Sequence, residues 1–128
     1  MAIALSQLSS QLNAKGATKL FEGTMLIPSE ANEEDWYVTP CSGSKSDYDM
    51  IMITVTSSTS YLYTVGRIFI FSEVGNGTWH DFNLFESDGT HGQIMARWDD
   101  SGTIHVTEHQ DSRYRGALYV RHVYGIKF

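Results

Sequence analysis

The chain of 128 residues and 14.4 kDa is 41% apolar, 12% aromatic and 19% charged, with a net charge of −6. That size suffices for one domain with its own core, and the composition is that of a folded chain rather than a disordered one. Nine scattered Lys and Arg against fifteen Asp and Glu argue against nucleic acid, whose affinity comes from clustered cations, and no apolar run approaches the ~18 residues that insert into a membrane.

The opening residues, Met1-Ala2-Ile3-Ala4-Leu5-Ser6, have neither a basic start nor a long apolar stretch. They do not read as a signal peptide, so synthesis in a cytoplasm is expected. Over residues 1–15, Leu5, Leu8 and Leu12 recur at i, i+3 and i+7 between polar Ser and Gln, and Gly16 ends the pattern. This spacing predicts a short amphipathic helix. A helix of that length needs a partner surface, either its own domain or a leucine seam between identical chains. The chain therefore divides into residues 1–16, a helix and possible oligomerisation stub, and residues 17–128.

Beyond Gly16 the apolar period becomes two. Strands are predicted at 18–27, 35–39, 48–56, 64–72, 78–85, 92–98, 103–109 and 116–127. Turn signals separate them at Pro28-Ser29, Pro40 to Ser46, Gly75-Asn76-Gly77, Ser87-Asp88-Gly89 and Asp99-Asp100-Ser101-Gly102. Eight short strands predict an all-β fold, a two-sheet antiparallel β-sandwich of jelly-roll-like form. Tyr48 to Val55 and Val65 to Phe71 are so nearly continuous in apolar residues that both are expected to be covered on both faces. The second cover would be the N-terminal helix or a neighbouring subunit.

Reactive chemistry is sparse. The single cysteine, Cys41, permits no intramolecular disulfide, and its setting, Thr39-Pro40-Cys41-Ser42-Gly43, reads as a loop with no histidine placed to activate it. His105 and His109 share a strand face, but four residues at ~3.3 Å rise separate them by about 13 Å, too far for one ion. Asp88, Asp99 and Asp100 lie in turns, where Asp is expected for backbone hydrogen bonding. No catalytic group, metal or cofactor is expected, and the chain is not read as an enzyme. Aromatic residues are the better lead: Trp36, Tyr37, Tyr61, Tyr63, Trp79, Trp98, Tyr114, Tyr119 and Tyr124 exceed what a core of this size requires. A Trp or Tyr beside Asp or Arg holds a sugar ring by stacking and directed hydrogen bonds. Two segments have that composition, and they nominate Trp79, His80 and Asp81, then Arg97, Trp98 and Asp99, with Tyr61 and Tyr63 from the loop at 57–63.

Three pieces in order, Leu20-Phe21-Glu22-Gly23-Thr24, Ser46-Asp47-Tyr48-Asp49-Met50-Ile51 and the closing Val123-Tyr124-Gly125-Ile126-Lys127, resemble the distal domains of bacteriophage tail fibres and related virion attachment proteins. The resemblance spans roughly residues 18 to 128. It implies a homotrimeric virion protein, made in the host bacterial cytoplasm, that contacts other virion proteins and recognises a bacterial surface glycan or protein; Leu5, Leu8 and Leu12 would then form the trimer stub. The chain departs from the pattern in having no His-x-His pair and no long shaft, which leaves a decoration or assembly role as one alternative and a monomeric carbohydrate-binding module as another.

Overall fold

The computed structural model describes residues 16–28, 37–57, 64–73, 79–87, 90–109, 112, 114 and 116–128. The helix expected over residues 1–15, with Leu5, Leu8 and Leu12, lies outside them, as do Tyr61 and Tyr63. The fold is all-β. Eight strands run as β1 (Gly16–Leu26), β2 (Val38–Ser42), β3 (Met50–Thr56), β4 (Thr64–Phe71), β5 (His80–Ser87), β6 (Thr90–Trp98), β7 (Thr103–Glu108) and β8 (Tyr119–Lys127). They form two antiparallel sheets of four strands, in the orders β1-β8-β3-β4 and β2-β7-β6-β5. The outermost strands of the sequence pair in nested fashion, β1 with β8 in one sheet and β2 with β7 in the other. The inner strands close locally, as the hairpin β3–β4 and the meander β5–β6–β7.

One apolar cluster joins the sheets into a sandwich-like fold. The first sheet contributes Ile51, Ile53, Val55, Ile68, Ile70, Val120 and Val123, and the second Ile94, Ala96, Trp98, Ile104 and Val106. All are nearly or wholly buried. Alternation along each strand decides which residues they are, because successive side chains leave a strand on opposite faces, except on β8, where an irregularity in its pairing with β3 turns both Val120 and Val123 inward. On β6 the inward set is Ile94, Ala96 and Trp98. Trp98, expected on a ligand-facing segment, is therefore a core residue only 1% exposed, and its indole Nε1 donates to the Gly43 carbonyl at 2.7 Å.

One further expectation is corrected. The sequence predicts a turn over Pro40 to Ser46, yet β2 passes through Pro40 to Ser42. Proline is tolerated because β2 is an edge strand and Pro40 falls in the irregularity of its pairing with β7 between Val38 and Cys41. Cys41 accordingly sits on a strand, packed against the core, and burial pushes its thiol pKa up to about 11. β4 is expected to be covered on both faces by the N-terminal helix or a neighbouring subunit, and neither lies among the described residues. It too is an edge strand, and its outward Phe69 and Phe71 remain 45% and 43% exposed.

The pieces behind the tail-fibre resemblance meet at one end of the sandwich. The Tyr48 ring lies flat on Gly125, so close that a side-chain carbon there would come within 2.7 Å of its Cγ, and Leu20 and Tyr48 flank Gly43. Only glycine leaves room for the ring over β8. Leu20 and Tyr48 pack against the core that joins the sheets.

Candidate ligand-binding face

The outer surfaces of the two sheets differ in chemistry. On the β1-β8-β3-β4 sheet the register stacks cross-strand rows: Phe71, Met50, Ile126 and Ala17; then Phe69, Met52, Tyr124 and Lys19; then Arg67, Thr54, His122 and Glu22. The first row is wholly apolar and the third is polar. Near the polar end lies a pocket of about 400 Å³, lined by Met52, Thr54, Thr56, Arg67, Arg121, His122 and Tyr124 among others. Two of its polar groups have neighbours on the same sheet. His122 meets the Thr54 hydroxyl at 3.1 Å through Nδ1 and Glu22 at 3.7 Å through Nε2, while Arg121 donates to the Thr24 hydroxyl.

The outer surface of the β2-β7-β6-β5 sheet is built differently. With Ile94, Ala96 and Trp98 pointing inward, Gln93, Met95 and Arg97 take the opposite side; with Ile104 and Val106 inward on β7, so does His105, while Thr107 beside it is covered, its hydroxyl donating to the Pro28 carbonyl. Arg97 and His105 are direct cross-strand partners, because the turn at Asp99 to Gly102 folds β7 back on β6 in that register. Gly102, at φ 87°, takes the left-handed conformation the turn needs, and its N–H donates to the Asp99 carbonyl at 2.9 Å. Asp99 Oδ1 receives the Ser101 hydroxyl at 2.6 Å and the Thr103 N–H at 2.9 Å, leaving Oδ2 3.4 Å from His105 Nε2.

Around these two residues the chain places an aromatic cluster. Tyr37, just before β2 and 47% exposed, meets the His105 ring edge-on at 4.8 Å between centres. Trp79, just before β5, lies 6.3 Å from Tyr37 and 6.2 Å from His105. The Arg97 guanidinium carbon sits 4.9 Å from the Trp79 ring centre and 5.9 Å from that of Tyr37, within cation–π range of both. Thr39 closes the group through His105 Nδ1 at 3.0 Å. Further along the same face Asp81 stands 3.6 Å from His109, and Asn83 accepts from Gln93 at 2.7 Å.

The electrostatics follow from this packing. Burial and the positive charge of Arg97 lower the His105 pKa below its usual value, against the opposing pull of Asp99. Burial works against the Asp99 carboxylate, yet Ser101, the Thr103 N–H and His105 outweigh it and hold its pKa low. His105 and His109 thus turn to different carboxylates and do not converge.

Of the nominated ligand residues, Trp79, Arg97 and Asp99 come together on this face and Asp81 lies on its margin. Trp98 belongs to the core. His80, opposite Ala96, turns the other way and lines a cleft of about 250 Å³ with Phe69, Phe71 and Phe82. Sequence reasoning misses Tyr37, Thr39 and His105 as members of the cluster. The register about the turn is a signal for His105: folding the chain symmetrically at Ser101 sets residue 105 against 97. Tyr37 and Thr39 have no such signal, since β2 reaches β7 only through the tertiary fold.

No family model, curated protein or solved structure matches the chain. The site is therefore argued on its own geometry.

Proposed function

We propose that this chain is a non-enzymatic binding module whose outer β2-β7-β6-β5 face recognises a glycan. The observation that carries the proposal is the cluster of Tyr37, Trp79, Arg97 and His105. Two aromatic rings offer apolar faces to a sugar, and a guanidinium between them offers directed hydrogen bonds. No nucleophile with an activating base stands within the cluster: its histidine is held between a threonine and an aspartate, and the cysteine lies on the other side of the sheet with a raised pKa.

The module is of the virion attachment type, a homotrimer on a bacteriophage particle whose receptor is a bacterial surface glycan. Support comes from the three sequence pieces that resemble tail-fibre tips, from the nested β1–β8 and β2–β7 pairing that a jelly roll also has, and from the apolar row of Phe71, Met50 and Ile126 as a surface for neighbouring copies. A monomeric carbohydrate-binding module would use the same face without that row. Light scattering on the full chain separates the two: a trimer of the 14.4 kDa chain weighs about 43 kDa, and a mass near that of one chain would reject the trimer. Retention of the protein on immobilised bacterial surface polysaccharide, lost on substitution of Trp79, tests the glycan itself.

A further inference from the structure

We infer that the glycan recognised on this face is acidic, and that Arg97 is the receptor for a sugar carboxylate. This rests on the reading of the face as a sugar platform and adds to it the charge of the ligand. Arg97 carries its charge without a counter-ion: among the described residues no carboxylate pairs with it, and its Nε is buried with no hydrogen-bond partner. The nearest carboxylate of the cluster, Asp99, is already committed to Ser101, Thr103 and His105. A guanidinium with no counter-ion of its own attracts an anion that a ligand brings to its exposed nitrogens.

The form of that ligand follows from the geometry. Trp79 and Tyr37 occupy positions beside the guanidinium, and its Nε is closed to solvent while its two terminal nitrogens are not among the buried atoms. The terminal nitrogens together present two parallel N–H groups, a pattern that a planar carboxylate accepts in bidentate fashion. A carboxylate on a pyranose ring would reach them while the ring rests on an aromatic face. His105, its Nε2 turned to Asp99 and its Nδ1 to Thr39, braces the guanidinium's neighbours without competing for the anion. Uronic acids and sialic-type acids share this chemistry.

The test is isothermal titration of the full chain with oligogalacturonate, its methyl ester, sialyllactose and lactose. The expected result is binding of at least one acid, with the uncharged counterpart at least about tenfold weaker, as loss of one charge-assisted bidentate pair implies. Arg97→Gln should remove that preference. Arg97→Lys, which keeps the charge and loses the fork, should recover it only in part. Equal binding of acid and neutral forms, or an acid preference that survives Arg97→Gln in a protein whose thermal unfolding is unchanged, would overturn the inference and leave the sugar platform standing. Binding of none of the four by the wild-type chain would overturn both.

Discussion

The two outer faces of this small protein are made by the same device, a period-two strand with one side committed to a shared core, and they end with opposite character. On the β1-β8-β3-β4 sheet the outward positions of β3, β4 and β8 carry Met50, Met52, Phe69, Phe71 and Ile126, and His122 beside them is held between Thr54 and Glu22. On the β2-β7-β6-β5 sheet the outward positions carry Arg97, His105, Asp81 and Asn83, and the aromatic residues come from the segments entering β2 and β5. Apolar rows on a flat strand face suit a protein surface of matching shape; rings set about a cation with a donor to spare suit a small polar ligand with a charge. In the proposed reading the first face is covered by neighbouring copies and the second receives the ligand.

That contrast can be broken or sharpened by substitution. The largest effect is expected at the layer both faces share. Ile53 is fully buried between the sheets, so Ile53→Ala should cost about 2–5 kcal/mol and shift the denaturant midpoint, weakening assembly and ligand binding together. Next, replacing both Phe69 and Phe71 by Ser should reduce the solution mass from that of a trimer to that of one chain while the ligand affinity of each chain stays the same; a mass unaffected by the double change would detach this face from assembly. Trp79→Ala is expected to do the reverse, weakening glycan binding by about 1–1.5 kcal/mol, on the order of tenfold, with mass and melting temperature nearly unchanged.

The smallest effect expected is the dependence of stability on pH that His105 brings to the ligand face. His105 titrates in the unfolded chain near 6.5 and lower in the fold, where Arg97 on β6, Asp99 in the turn, Tyr37 and Thr39 surround it. As pH falls below 6.5 the unfolded chain takes up a proton that the folded one resists, so stability is complete above that pH and declines beneath it. The carboxyl of Asp99, also lowered in the fold from 3.8, extends the loss in the same direction at still lower pH. His105→Gln should flatten the first part of the decline in melting temperature between pH 7 and 5, and the Phe69/Phe71 double variant should leave it intact.

Most strand positions are legible in the amino-acid sequence, because the period of two and the turn residues are local signals. The limits of β4, β6 and β7 fall within two residues of expectation. β2 lies further along the chain than the expected 35–39 because proline is normally a breaker, and only its place at a sheet edge, against an irregular stretch of β7, makes it acceptable. Composition points to Trp79 and Arg97 as ligand residues, and the two do share one cluster on one face. Composition also points to Trp98 and His80, which alternation carries away from it: neighbours in sequence on a strand are strangers in space.

The amino-acid sequence by itself determined that the described chain is all-β, that a turn falls where Asp99 and Gly102 allow it, and which residues of most strands seek the core, because these depend on backbone conformation and on burial of apolar side chains over a few residues. Which strands become edges, which face keeps its phenylalanines exposed, and that Tyr37 and Trp79 arrive beside Arg97 and His105 were decided by the tertiary structure alone. Those outcomes depend on how β1 finds β8 and β2 finds β7 across the length of the chain, pairings that no local preference encodes and that only the closing of a common core selects.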